Sequence, residues 1–201
     1  MLDRYAAALI RPIANALSKP LARAGVTADQ LTLAGFLIGL VAAFLIASGA
    51  YLLGAATIFL SRSCDALDGA VARQRVPTDR GGFLDIALDF IFYASIPLAF
   101  AVADPTRNAL AAATLLAAFV GTASSFLAFA VIAAKRGMAS TAYPDKSFYF
   151  LGGLAEATET LATFAAMCVW PQHFALLAYV FSVACGITIA TRLWWGWQAL
   201  K

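Results

Sequence analysis

Asp65-Ala66-Leu67-Asp68-Gly69-Ala70-Val71-Ala72-Arg73 and, after seven intervening residues, Gly81-Gly82-Phe83-Leu84-Asp85-Ile86-Ala87-Leu88-Asp89 hold four carboxylates at helical spacing inside an otherwise apolar chain. Asp65 and Asp68 stand three apart, Asp85 and Asp89 four apart, so on helices each pair shares one face. The connection between the two stretches is short, which makes the helices antiparallel neighbours and brings the two pairs together near one end. Five of the chain's 11 acidic residues fall between positions 65 and 89.

The surroundings of this stretch set the environment. Of 201 residues, 62% are hydrophobic and 12% charged, and the mean hydropathy is +0.81; soluble domains are roughly 45–50% apolar and about 25% charged. The composition predicts an all-α, polytopic membrane protein. A bilayer core takes about 20 apolar residues per helix, and six such segments are expected, over residues 31–48, 51–72, 83–102, 111–134, 148–170 and 174–197. The division is then a juxtamembrane segment, 1–30, and a six-helix membrane domain, 31–201.

Before the first span, Leu9, Ile10, Ile13, Leu17 and Leu21 recur at helical spacing among Arg4, Arg11, Lys19 and Arg23, the pattern of an amphipathic helix lying in the headgroup plane. Thr27 is placed to cap the turn into the bilayer. No cleavable secretory signal is evident. Loop charges set the orientation: the N-terminal segment, Arg73, Arg75 and Arg80, and Lys135, Arg136 and Lys146 are expected on one side, with only Arg107 on the other. The positive-inside rule puts both termini and the acidic cluster at the cytoplasmic face of the inner membrane.

A net charge of +3 is too small to suggest nucleic-acid binding. Three scattered cysteines, Cys64, Cys168 and Cys185, give neither a disulfide framework nor a metal site. Cys64, although next to Asp65, has no histidine partner to make it a nucleophile.

Like charges crowded at the edge of hydrocarbon need protonation or a cation. Carboxylates without His or Cys favour hard ions such as Mg²⁺, Mn²⁺ or Ca²⁺, and the phosphates of a substrate are the natural remaining ligands. Gly69 and Ala72 clear one helix face, and Arg73 follows it, able to pair with phosphate. Rival readings of the same acids are a proton or ion path in a transporter, structural pairing with Arg62, Arg73 and Arg80, and a catalytically silent scaffold.

The pattern D-x2-D-G-x2-A-R, seven residues, then G-x3-D-x3-D resembles the signature of the CDP-alcohol phosphatidyltransferase family. Asp65, Asp68, Gly69, Ala72, Arg73, Gly81, Asp85 and Asp89 match all eight fixed positions. The resemblance implies transfer of a phosphatidyl group from CDP-diacylglycerol to an alcohol, with release of CMP. It implies two divalent ions, Mg²⁺ or Mn²⁺, held by Asp65, Asp68, Asp85 and Asp89. Asp89 would be the catalytic base, and Asp65, Asp68, Gly69, Ala72 and Arg73 would border the cytidine diphosphate. The family is commonly dimeric, and Gly35 and Gly39 form a small-xxx-small pair that packs helices either within the chain or between two chains.

The acceptor is less determined. Lys135, Arg136, Lys146 and Arg192 suit a phosphorylated alcohol, with glycerol phosphate placed first and inositol phosphate as the alternative; the three loop residues serve equally as positive-inside anchors. Glu156 and Glu159 share a helical face and either contact the acceptor or pair with Arg192. Where family members often have Pro-Asn ahead of the first span, this chain has Ala28-Asp29, with Asp29 standing in for Asn as a cap.

Overall fold

A computed structural model describes residues 3–74, 78–138 and 153–201. Its described residues form seven α-helices: α1 (Asp3–Arg23), α2 (Ala28–Ala47), α3 (Tyr51–Ala72), α4 (Asp79–Ala103), α5 (Pro105–Lys135), α6 (Ala157–Val169) and α7 (Phe174–Ala199), with one 3₁₀ turn, Pro171–His173, ahead of α7.

The chain is all-α, but the expectation of six spans is wrong. Four helical segments among the described residues are long and apolar enough to cross a membrane: Ala28–Ala47, Asp79–Ala103, Pro105–Lys135 and Pro171–Ala199. The segment expected over 51–72 is a helix of 22 residues, yet Arg62, Asp65 and Asp68 interrupt its apolar run. The segment expected over 148–170 begins outside the described residues, and the helix that follows has only 13. At 1.5 Å per residue that covers about 20 Å, against about 30 Å of hydrocarbon.

Thr27 caps α2: its hydroxyl accepts from the Gln30 backbone N–H, and the Gln30 side chain accepts from the Thr27 N–H. Asp29 is therefore not the cap; it pairs with Arg80 at 3.0 Å. Gly49, at φ +81°, turns the chain after α2, a conformation that costs glycine little, and α3 returns antiparallel. The contacts run in opposite directions: Gly35 lies at Cys64, Gly39 at Ser61 and Gly54 at Ile46. The Gly35/Gly39 pair thus packs helices inside the chain. A Cβ on Gly39 would fall 2.5 Å from the ring of Phe92, which is fully buried and has nowhere to swing. Gly39→Ala is expected to cost roughly 1–3 kcal/mol of stability, read as a lower thermal midpoint; wild-type stability would contradict this packing.

The core is aromatic. Phe100 stacks on Phe174 at 4.5 Å and on Tyr51 at 5.5 Å, while Phe119 meets Phe164 and Phe181 edge-on. In lipid, such close packing rather than exclusion of water holds helices together. Along α1, Ala14 and Ser18 are buried, and Ser18 accepts a hydrogen bond from Gln74 just beyond α3. Leu9, Ile10, Ile13 and Leu17 remain exposed.

Candidate active site

α2 packs against both α3 and α4, which are not themselves packed side by side; the acids of the C-terminal half of α3 and of the first turns of α4 meet beside the start of α2 through their side chains. Thr78 caps α4 by accepting from the Gly81 N–H, which fixes where α4 starts and hence where Asp85 and Asp89 emerge. Asp65, Asp68 and Asp85 each bring a carboxylate oxygen to within 4.8 Å of the others. Asp68, only 6% exposed, accepts from the Thr32 hydroxyl at 2.6 Å.

Asp89 is not one of the three. Its Oδ1 lies 2.6 Å from an Arg62 terminal nitrogen, and the same nitrogen is 3.3 Å from Asp65 Oδ1. The Arg62 guanidinium sits 4.0 Å above the centre of the Phe92 ring and donates to Ser61 Oγ. The four acids therefore divide into a convergent group of three, of which Asp65 also touches Arg62, and Asp89, which lies outside the group and is held more closely by that cation.

Asp68, Asp85 and Asp89 open on a cavity of about 1070 Å³, which Asp65 does not line. Gly69, Ala72 and Arg73 line one wall; Thr122, Glu156 and Arg192 line the far end. Arg192, 8% exposed, donates to the Thr122 carbonyl at 3.1 Å and so ties α7 to α5. A Cβ on Gly69 would stand 3.3 Å from an Arg73 terminal nitrogen, so the missing side chain leaves that guanidinium free to lie along the wall.

Glu156, although it lines the cavity, and the other expected residues have different partners. Glu156 accepts from the Gly153 N–H at 2.8 Å, and Glu159 from the Glu156 N–H at 3.3 Å. Together they cap α6, a role their sequence spacing did not suggest. Asp3 joins them, accepting from the Thr158 N–H at 2.8 Å. Lys135 and Arg136 are exposed at the end of α5 and do not line the cavity, whereas Lys146 lies outside the described residues. Cys64 packs at Gly35, away from any nucleophilic role.

Thr32 is the site residue that sequence reasoning left unassigned, and Arg62 entered it only as a structural partner of the acids, a pairing that Asp65 and Asp89 make. Arg62 stands three residues before Asp65, a legible spacing, but nothing in the sequence shows that it also reaches α4. Thr32 meets Asp68 across 36 positions, which only the fold reveals.

Three hard oxygen donors from two helices, with no His or Cys among them, fit Mg²⁺ or Mn²⁺ and leave coordination positions for phosphate oxygens. Thr32 orients one donor from behind, as second-shell hydrogen bonds do. Thr32→Val is expected to weaken Mn²⁺ binding about 10–100-fold, measured by titration of the purified protein; unchanged affinity would remove Thr32 from this role.

The profile of CDP-alcohol phosphatidyltransferases matches residues 25–194. The inner membrane protein YnjF of Escherichia coli is 49% identical over 201 residues, covering 100% of this chain and 98% of that protein. The phosphatidylinositol phosphate synthase of Mycobacteroides abscessus is 30% identical over 194 residues, covering 90% of this chain and 82% of that enzyme. Among solved structures, Mycobacterium tuberculosis phosphatidylinositol phosphate synthase with CDP-DAG bound superposes with a TM-score of 0.74 at 22% identity, over 92% of this chain and 94% of that one. The same enzyme with manganese and citrate gives 0.71 at 23%, over 92% and 88%. Likeness at this identity establishes the fold alone.

Proposed function

The chain belongs to the CDP-alcohol phosphatidyltransferase family, a metal-dependent transferase of the membrane, and from that premise we propose that it transfers a phosphatidyl group from CDP-diacylglycerol to an inositol phosphate, releasing CMP. The observation that carries this reading is the convergence of Asp65, Asp68 and Asp85, of which Asp68 and Asp85 face a cavity also lined by Gly69, Ala72 and Arg73. A bare ion path would have no use for that cleared wall and its guanidinium.

In this proposal Asp65, Asp68 and Asp85 hold the first divalent cation, Mg²⁺ or Mn²⁺, which when bound neutralises charge on the transferring and leaving phosphate oxygens. Gly69 and Ala72 give the donor's diphosphate room, and Arg73 pairs with it. The acceptor's hydroxyl oxygen attacks the phosphorus that carries the lipid. The bond from that phosphorus to the bridging oxygen breaks, CMP leaves with the electron pair, and the hydroxyl proton passes to Asp89. No covalent protein intermediate is needed.

Glycerol phosphate, the acceptor placed first from sequence, gives way to inositol phosphate. The named function of the M. abscessus relative and of the similarly folded M. tuberculosis enzyme supports the change. Arg192 at the far end of the cavity suits a phosphorylated acceptor; Lys135, Arg136 and Lys146 are left as anchors at the cytoplasmic face, where Arg73 and Arg80 also cluster. The proposal keeps the site on the cytoplasmic side of the inner membrane. It also keeps a homodimer, whose contacts lie on faces other than the one Gly35 and Gly39 use within the chain.

The test is CMP release from CDP-diacylglycerol by purified protein with Mn²⁺ or Mg²⁺, with products identified by mass. Release that depends on inositol phosphate and exceeds that with glycerol phosphate is expected; a preference for glycerol phosphate would overturn the acceptor, and no release with any alcohol the reaction. Arg192→Met should raise KM for the phosphorylated acceptor at least about tenfold, the loss of one charge-assisted pair, while KM for the CDP lipid stays put. Equal changes in both would deny Arg192 the acceptor.

A further inference from the structure

A second ion at this site would draw on Asp89 and a share of Asp65, and both are already engaged by Arg62. The guanidinium is built in rather than loosely associated. Its side chain is 10% exposed, its flat face rests on Phe92, and one terminal nitrogen donates to Ser61 Oγ, whose hydroxyl is itself fixed on the Gly35 carbonyl at 2.6 Å. Its Nε is buried without a partner among the described residues, so the side chain is placed for the contacts of its terminal nitrogens at the expense of its other donor. Arginine keeps its charge under all ordinary conditions, and its planar fork can span two carboxylates and stack on a ring at once, which the compact ammonium of lysine does less well.

We infer that Arg62 is a positioning residue that withholds Asp89 from the metal and reserves it for the acceptor's hydroxyl, so that the substrate-free protein takes one divalent ion at Asp65, Asp68 and Asp85. The inference rests on the metal reading proposed above and goes beyond it in dividing the four aspartates by role. Arg62 acts through its neighbours: it aims the Asp89 carboxylate and occupies, as a fixed charge, the side of the cluster that a second ion would fill. Removing it frees Asp89 and Asp65 together.

The experiment counts Mn²⁺ on the purified, substrate-free protein by electron paramagnetic resonance, which also reports whether two ions lie close enough to couple magnetically. Wild type is expected to bind one ion in the cluster with no coupled-pair signal. Arg62→Gln should bind a second at least tenfold more tightly than wild type does and show the coupled signal, and Arg62→Gln with Asp89→Asn should return to one ion. Arg62→Lys should stay closer to wild type than Arg62→Gln. A coupled pair in wild type, or identical counts and spectra in wild type and Arg62→Gln, would overturn the inference; the wild-type measurement decides even where Arg62→Gln fails to fold. Asp68→Asn separates the two claims. Its loss of the first ion upholds the metal reading, and its retention of wild-type binding would overturn that reading directly.

Discussion

Asp68→Asn is expected to lower kcat/KM by at least about 1000-fold, the scale on which loss of transition-state charge stabilisation is felt. Asparagine preserves the shape and still accepts from Thr32, so the fold should survive and only the charge is lost. Asp68 is the most buried of the three convergent acids and the one held from behind by a 2.6 Å hydrogen bond. A neutral amide there leaves two carboxylates to retain a divalent ion beside an anionic substrate. The loss should be partly recovered at high Mn²⁺, because affinity rather than geometry has been removed. Steady-state CMP release across a metal titration checks this; activity within about tenfold of wild type at ordinary Mn²⁺ would remove Asp68 from the ligand set.

Asp89→Asn should behave differently. The amide cannot take the hydroxyl proton, and general-base catalysis contributes typically about 10²–10⁴ in rate. A fall of that size is expected in kcat, with KM for the CDP lipid close to wild type, since Asp89 stands apart from the convergent group. Mn²⁺ binding by the substrate-free variant should also be retained, which distinguishes it from Asp68→Asn. The variant leaves Arg62 with Asp65 as its remaining carboxylate partner, so the stacked guanidinium stays anchored. If kcat were unchanged, or if the first ion were lost, Asp89 would be a ligand or a bystander and not the base.

The spans in α2, α4, α5 and α7 were legible because each holds a long apolar run, uninterrupted in α4 once Asp85 and Asp89 in its first turns are passed. The same criterion explains the miscounted spans. α3 carries Arg62, Asp65 and Asp68 because its chemistry requires them, and the helix after residue 153 is short because Glu156 and Glu159 start it late by capping. Spacing along one helix revealed which acids share a face, yet it gave Asp85 and Asp89 equal standing. Their separation comes from Arg62 on α3, a side-chain contact across 27 positions that no local pattern encodes. Asp29 illustrates the same limit. Read as a cap from its place in the turn, it instead meets Arg80 at the mouth of the cavity, while Thr27 two residues earlier makes the capping box.

The described residues also contain a competitor for the cation. Asp3, Glu156 and Glu159 bring carboxylate oxygens within 4.8 Å of one another, but each accepts a backbone hydrogen bond at the start of α6 or just before it. Those bonds spend part of the negative potential that would otherwise attract an ion. Crystals of the protein grown with Mn²⁺, examined for anomalous scattering, discriminate between the two groups most directly. The account predicts a manganese peak enclosed by Asp65, Asp68 and Asp85; a peak at Asp3, Glu156 and Glu159 with none between α3 and α4 would contradict it.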